Sequence, residues 1–477
     1  MRPMEIDEKK VEEIVKQVLA GVRASYQGIS TAQGATPAAS FGPSGELGIF
    51  ATIDEAIDAA FIAQNIYEAM GLDARRKFEQ AMREAGLREA ERLARLAIDE
   101  TKIGRYEDKI VKNEMNARLT AGVESLTPEV ITGSKGTLII EYVPFGVVAT
   151  VTPVTNPTST IINNSIMIIA AGNSVVYLPH PSARDCTLEA IRVMNRALKA
   201  AGAPDNLITS CSEVSIKNVE IAFKHQKVKM ICATGGGAVV KAALSSGKKA
   251  IGAGPGNPVS IVDESANIAK AARDICLSSP FDNNLPCLCE KVVVAIDSVA
   301  DELMREMTKN GAYLARGEEA SRITNLVVQE GHINKNYIGK DADVILRDAG
   351  IFSSGYKIII FEADPENPIV EHEQMMPVLP IVRAKDYEQA KELAIKFEHD
   401  YKHTASIHSN RLDRITDFAR TIGTVLFIAN GPHTDGDGTG EGPISMTLAG
   451  PTGEGLTTAK TFTRQRRIML SGALSLK

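Results

Sequence analysis

From Leu138 onward, short β-branched runs alternate with segments of helical periodicity, and no other feature limits the possible folds so strongly. The strand-like runs are "GTLIIEYVPFGVVATVTP", "NSVVYLP", "KVKMICAT" and "PVSIVDE". Between them lie "TLEAIRVMNRALKAAG" and "AVVKAALSS", apolar at three- and four-residue intervals. That order predicts βαβ units and a parallel sheet. A second set, "EKVVVAID", "DELMREMTKN", "YKIIIFEA", "YEQAKELAIKF" and "TASIHS", predicts another α/β domain.

At 477 residues the chain is too long for one core, and length alone suggests about three domains. A net charge of -6 provides no broad basic field for nucleic acid. The longest apolar stretch, "IINNSIMIIAAGNSVVYL", is cut by Asn163, Asn164 and Asn173, so no membrane span is expected. The charged start "MRPMEIDEKKVEEIVKQ" does not read as a secretory leader, and the six scattered cysteines fit a reducing cytoplasm.

Near the N-terminus, Val11, Ile14, Val15, Val18, Leu19 and Val22 follow helical spacing, with charged residues opposite. Residues 23–47, rich in Gly, Ala, Ser and Pro, read as a flexible linker. Such a helix either folds back on its own domain or docks on another protein; the linker favours docking. The main body begins near Gly48, where Thr52 or Asp54 can cap a long helix. "ARRKFEQAMREAGLREAERLARLAIDE" continues in helical register.

Four stretches could carry chemistry. In "ICATGGGAVVKAAL" a strand runs through Thr234 and three glycines into a helix, which suits a pyrophosphate, although a plain tight turn reads equally well. In "ATVTPVTNPTST", Asn156 offers a carboxamide able to stabilise an oxyanion, or it simply caps a helix. In "FDNNLPCLCEK", Pro286 fixes the backbone before Cys287, which is either a nucleophile or an inert thiol; Cys289 follows two residues on. His399 and His403, with Asp400 between, imitate H-E-x-x-H, but a strand pattern follows at once and breaks the helical geometry zinc would need. No metal site is expected.

Together these blocks resemble the aldehyde dehydrogenase superfamily, and more narrowly its CoA-acylating branch from bacterial microcompartments. The resemblance runs from about Ile49 to the C-terminus. It rests on "PFGVVATVTPVTNPTSTIINNSI", "AAGNSVVYLPHPSA", "ATGGGAVVKAALSSGKKAIGAGPGNPV", "FDNNLPCLCEK", "EQMMPVLPIV" and "LAGPTGEGLTTAKTFTRQRR". It implies a Rossmann-type NAD-binding domain (48–256, with oligomerisation strands near 136–148), an α/β catalytic domain (257–440), and a return to the first region (441–477).

The resemblance further implies that Cys287 is the nucleophile and Asn156 the oxyanion donor. Thr152, Pro153, His180, Pro181, Thr234, Gly235, Gly236, Gly254, Glu373 and Met375 are implied to hold NAD, with Glu373 on the nicotinamide ribose. Hydrolytic members carry a water-activating glutamate in an E-L-G-G-K-type motif. Here the block reads "GAGPGNPV", with Gly252 near that position and no carboxylate. A soft CoA thiolate needs such a base less than water does.

The implied reaction therefore joins a short aldehyde, propanal first and acetaldehyde next, to CoA, with NAD reduced. The site is expected to lower the Cys287 pKa, because a free thiol near ~8.5 is only slightly ionised at neutral pH. Strand alternation would aim Cys289 to the same side as Cys287. Residues 1–22 resemble an encapsulation peptide for a microcompartment shell protein, and the family implies a homodimer or homotetramer. A hydrolytic dehydrogenase and a non-catalytic shell scaffold are the competing readings.

Overall fold

The β-branched runs of the first set form parallel strands: β1 (Ile49–Phe50), β4 (Val147–Val151), β5 (Ser174–Leu178), β6 (Ile208–Cys211), β7 (Val228–Thr234) and β8 (Lys249–Ala253). In this computed structural model, residues 45–475 are described. The helix read over 1–22 and the linker up to residue 44 lie outside the described residues. The linker reading also ran three residues too far. Gly45 N–H donates to Ile49 O at 2.7 Å and Leu47 O accepts from Asn195 Nδ2 at 2.8 Å, so this stretch is tied to the first strand.

The described residues form two compact units. The first takes residues 45–89, 120–254 and 457–475. Its six strands lie in the order β1-β6-β5-β4-β7-β8, every pairing parallel. The chain thus starts its main winding at β4, moves outward through β5 and β6, then returns to place β7 on β4's other side. This is the doubly wound dinucleotide-binding order, whose switch point lies between β4 and β7. Burial explains the strand composition, since all five residues of β4 and of β5 are inaccessible to solvent. The helix Ile53–Glu68 opens on a capping box between Thr52 and Glu55. Beside this sheet, β2 (Glu129–Gly133), β3 (Gly136–Pro144) and the strand Thr463–Ser471 make an antiparallel three-stranded sheet that exposes Val130, Ile131 and Met469.

The second unit comprises 90–119 and 255–456. Its strands are β9 (Val259–Val262), β10 (Val292–Ile296), β11 (Ala312–Leu314), β12 (Ile358–Glu362), β13 (Val378–Ala384), β14 (Thr404–His408) and β15 (Leu426–Ala429). They pair in the order β11-β12-β13-β10-β9-β14-β15, again all parallel. Helices Ile268–Ser278 and Asp297–Lys309 help cover the sheet, and Ile275, Leu303 and Met307 join its core.

Two boundaries differ from the sequence reading. The helical pattern through 74–100 is broken at Glu89, between helices Gly71–Arg88 and Ala90–Thr101. From Ala90 to Leu119 the chain belongs to the second unit, and so does 441–456. Long-range polar bonds override local periodicity here. Asp282, fully buried, accepts from Lys109 Nζ at 3.0 Å, from Lys112 Nζ, and from Arg105 N–H at 2.7 Å. Those bonds fasten helix Tyr106–Leu119 to the loop ahead of β10.

Removing Asp282 takes from two buried ammonium groups the carboxylate that both of them bond. Asp282→Ala is expected to destabilise the protein by about 3–5 kcal/mol. Urea unfolding should show a midpoint clearly below wild type; an unchanged midpoint would mean that this cluster does not hold the helix to the loop.

Candidate functional site

The residues singled out in the sequence fall into two groups, one in each unit. In the first, the connections leaving the carboxyl ends of β4, β5, β7 and β8 carry Thr152, Pro153, Asn156, His180, Pro181, Thr234, Gly235, Gly236 and Gly254. This is the edge, around the β4/β7 switch point, where open α/β sheets bind ligands. Gly235 has φ +153, and a Cβ built on Gly236 or Gly237 would meet nothing within 4 Å. The backbone before helix Gly237–Leu244 is therefore open to close approach by a phosphate. Thr152 is buried, and its Oγ1 has no hydrogen-bond partner. An orphaned hydroxyl beside a bare glycine turn fits a polar ligand such as a dinucleotide. His180 Nδ1 accepts from Ser182 N–H at 3.1 Å, and burial lowers its pKa, which favours a neutral ring.

Asn156 occupies the N-cap position of helix Pro157–Ala170, yet its side chain makes no capping bond; Nδ2 donates to Thr155 Oγ1 at 3.1 Å. The capping alternative for this residue therefore does not account for its side chain.

In the second unit the "DNN" stretch, read as a polar loop, is buried. Asp282, Asn283 and Asn284 take φ of +47°, +54° and +64°, three consecutive left-handed residues. That conformation costs most L-residues about 1–2 kcal/mol each, and Asn and Asp least among those with a side chain. Each is pinned. Asn283 Nδ2 donates to Gly339 O and Asp341 Oδ1, both at 2.9 Å. Asn284 Nδ2 donates to Ser279 O at 2.7 Å and Glu290 O at 3.0 Å. Cys289 N–H then bonds Pro286 O at 3.2 Å, closing a turn with half-buried Cys287 on its crest. Cys289 lies in that turn and is fully buried, so the strand alternation expected to align the two thiols does not apply.

The electrostatics also differ from expectation. Burial pushes the Cys287 thiol up to about 12, Glu373 and Asp437 add to the rise, and Lys291 opposes it. A low thiol pKa is thus not built into this form, because desolvation outweighs the one favourable cation. Burial raises Asp437 to about 8, and the Ser445 N–H pulls the other way. Burial also raises Glu373; Lys291 and the Gly256 N–H pull the other way. Met375, two residues on, adopts φ +51°.

Gly252 lies within β8, and the block to Val259 contributes no carboxylate. In the second unit, a Cβ on Gly256 would sit 2.7 Å from the His403 ring, so nothing larger than glycine fits there. His403 is buried, pushed down to about 3 by desolvation, and its Nε2 has no partner. It is a neutral imidazole able to accept a proton. The sequence reading had weighed it only as a zinc ligand; burial and pairing, invisible in the spacing, distinguish it. His399 instead ends its helix in the left-handed region and reaches Glu371 O at 3.2 Å. Among the described residues, no group of three or more His, Cys, Asp or Glu could hold a metal ion. No described helix is long and apolar enough to cross a membrane.

The aldehyde dehydrogenase family model matches residues 48–442. The acetylating acetaldehyde dehydrogenase EutE of Salmonella typhimurium is 40% identical over 480 residues, covering 99% of this chain and all of the relative. The structure of a propionaldehyde dehydrogenase from the Clostridium phytofermentans fucose-utilisation microcompartment superposes with TM-score 0.89 at 44% identity, covering 91% of this chain and 100% of that one. A Rhodopseudomonas palustris propionaldehyde dehydrogenase, solved with bound CoA and an acylated cysteine, gives TM-score 0.88 at 44% identity over 89% of this chain and 98% of its own. Matched along most of its length by the family model and along nearly all of it by a 40% identical relative, the chain belongs to the aldehyde dehydrogenase family.

Proposed function

We propose that this protein is a CoA-acylating aldehyde dehydrogenase, converting a short aldehyde, NAD⁺ and CoA into acyl-CoA and NADH. One observation carries the reading: Cys287 stands on a rigid, hydrogen-bonded turn, as a half-buried thiol, in a chain whose relatives act by acylation. Thr152, Pro153, His180, Pro181, Thr234, Gly235, Gly236 and Gly254 from the first unit, with Glu373 and Met375 from the second, are assigned to hold NAD⁺.

In this mechanism the Cys287 thiolate attacks the aldehyde carbon, and the former carbonyl oxygen takes up the negative charge. The Asn156 carboxamide and the Cys287 N–H are the assigned donors to that oxygen. Bound NAD⁺ would supply the hydride acceptor for the carbon attached to the Cys287 sulfur. Cys287 then holds the acyl group as a thioester. The CoA thiolate displaces it, and the cysteine thiolate leaves. Water competes poorly: the glycine block offers no base, and a thiolate is intrinsically the better nucleophile toward a thioester.

Finer assignments rest on resemblance. Propanal is proposed over acetaldehyde, which relative kcat/KM across aldehydes of increasing length will decide. A homodimer or homotetramer is proposed, and light scattering separates the two. Residues 1–22 are proposed to carry the enzyme into a microcompartment. Fused to a fluorescent protein, they should give puncta in shell-producing cells; diffuse fluorescence there would refute packaging.

Cys287→Ala is expected to abolish acyl-CoA formation while NAD⁺ still binds, and full turnover would remove the nucleophile assignment. Asn156→Ala should lower kcat by ~10²–10³. With wild type, omitting CoA should stop NADH release after about one turnover; sustained release with free acid as product would favour the hydrolytic reading.

A further inference from the structure

Lys291 is the least explained charge in the second unit. Its side chain is fully buried, directly after Glu290 and at the foot of β10. Its Nζ donates to Asn284 O at 2.7 Å and Asn284 Oδ1 at 2.5 Å, both neutral acceptors. Among the described residues no carboxylate lies within ion-pair distance of it. The nearest acid in sequence, Glu290, is engaged elsewhere, by Ser278 Oγ at 2.5 Å and the His433 N–H at 3.2 Å. Gln374 Nε2 holds the Lys291 carbonyl at 3.1 Å, so the residue is anchored by both backbone and side chain.

A buried ammonium with no carboxylate in direct contact is costly, several kcal/mol in typical proteins, and burial accordingly lowers the Lys291 pKa while Glu373, at longer range, opposes that. An ammonium also has three N–H donors, and two are used here. Lys291 therefore has one donor to spare, and the turn that it clamps is the one presenting Cys287. The groups bearing on that sulfur are Glu373 and Asp437, which disfavour a thiolate, and Lys291, which favours it; Cys289 lies alongside. Lys291 is the sole cation among them.

We propose that Lys291 is a positioning residue for the Cys287 thiolate, clamping the left-handed Asp282–Asn284 turn through Asn284 and supplying a cation that Glu373 and the ionised Cys287 share. This rests on Cys287 being the nucleophile. The two ideas fail separately: turnover by Cys287→Ala would sink the nucleophile, whereas the experiment below tests Lys291 alone.

In the full-length enzyme, Cys287 alkylation by iodoacetamide is followed against pH by peptide mass spectrometry. Lys291→Met removes both charge and clamp; Lys291→Gln keeps a donor toward Asn284 but loses the charge. Both should react at least tenfold more slowly than wild type at neutral pH, with the profile displaced to higher pH by one unit or more. Their kcat should fall ~10–100-fold, with KM for CoA nearly unchanged. Lys291→Arg, which keeps the charge, should stay close to wild type in its alkylation profile. A purely structural lysine would leave the profile in place. A wild-type profile in Lys291→Gln that still binds NAD⁺ overturns the proposal. Loss of NAD⁺ binding in the Gln variant also counts against it, because it makes packing, not charge, the reason for the residue.

Discussion

The second unit depends on satisfying charge where water cannot reach. Asp282 lies buried against Lys109 and Lys112, and that single carboxylate ties helix Tyr106–Leu119 to the loop before β10. The same loop bends through three left-handed residues, a conformation that persists only because side chains of Asp282, Asn283 and Asn284 are each bonded across it. Cys287 inherits its position from this construction. A nucleophile held by polar bonds on a rigid turn needs little reorganisation to meet its substrate, which is how proximity lowers a barrier.

Rigid placement carries an electrostatic penalty. Excluding water raises the Cys287 thiol, and two nearby carboxyl groups raise it further. The same burial raises Asp437 and lowers His403, and the block from Gly252 to Val259 holds no carboxylate to ionise water. The arrangement thus handicaps hydrolysis more than transfer to a thiol. A thiolate arrives already nucleophilic, whereas water needs a base.

Much of the architecture was legible because strands and helices are written as local patterns. Apolar runs such as "NSVVYLP" marked β5, and the glycines after Thr234 marked the turn at the switch point between β4 and β7. Reading failed where through-space partners decide. Periodicity ran across Glu89 because nothing local records the break there, just as nothing local records that Lys109 and Lys112 pair with Asp282 far along the chain. "DNN" looked like a solvated loop because composition cannot reveal that every polar atom would find an internal partner or nearly so. The thiol was expected to be acidic, since sequence shows which groups exist and not how deeply they are buried. Lys291 escaped notice for the same reason, and His403 was weighed only as a zinc ligand.

The central claim is that one sulfur carries the acyl group between oxidation and transfer. The most direct measurement is to mix enzyme with aldehyde and NAD⁺ in the absence of CoA, quench, and map the modified peptide by mass spectrometry. The account predicts an acyl mass on the peptide containing Cys287, discharged as acyl-CoA when CoA is added. An unmodified Cys287 despite NADH formation, or an adduct that CoA leaves in place, would contradict it.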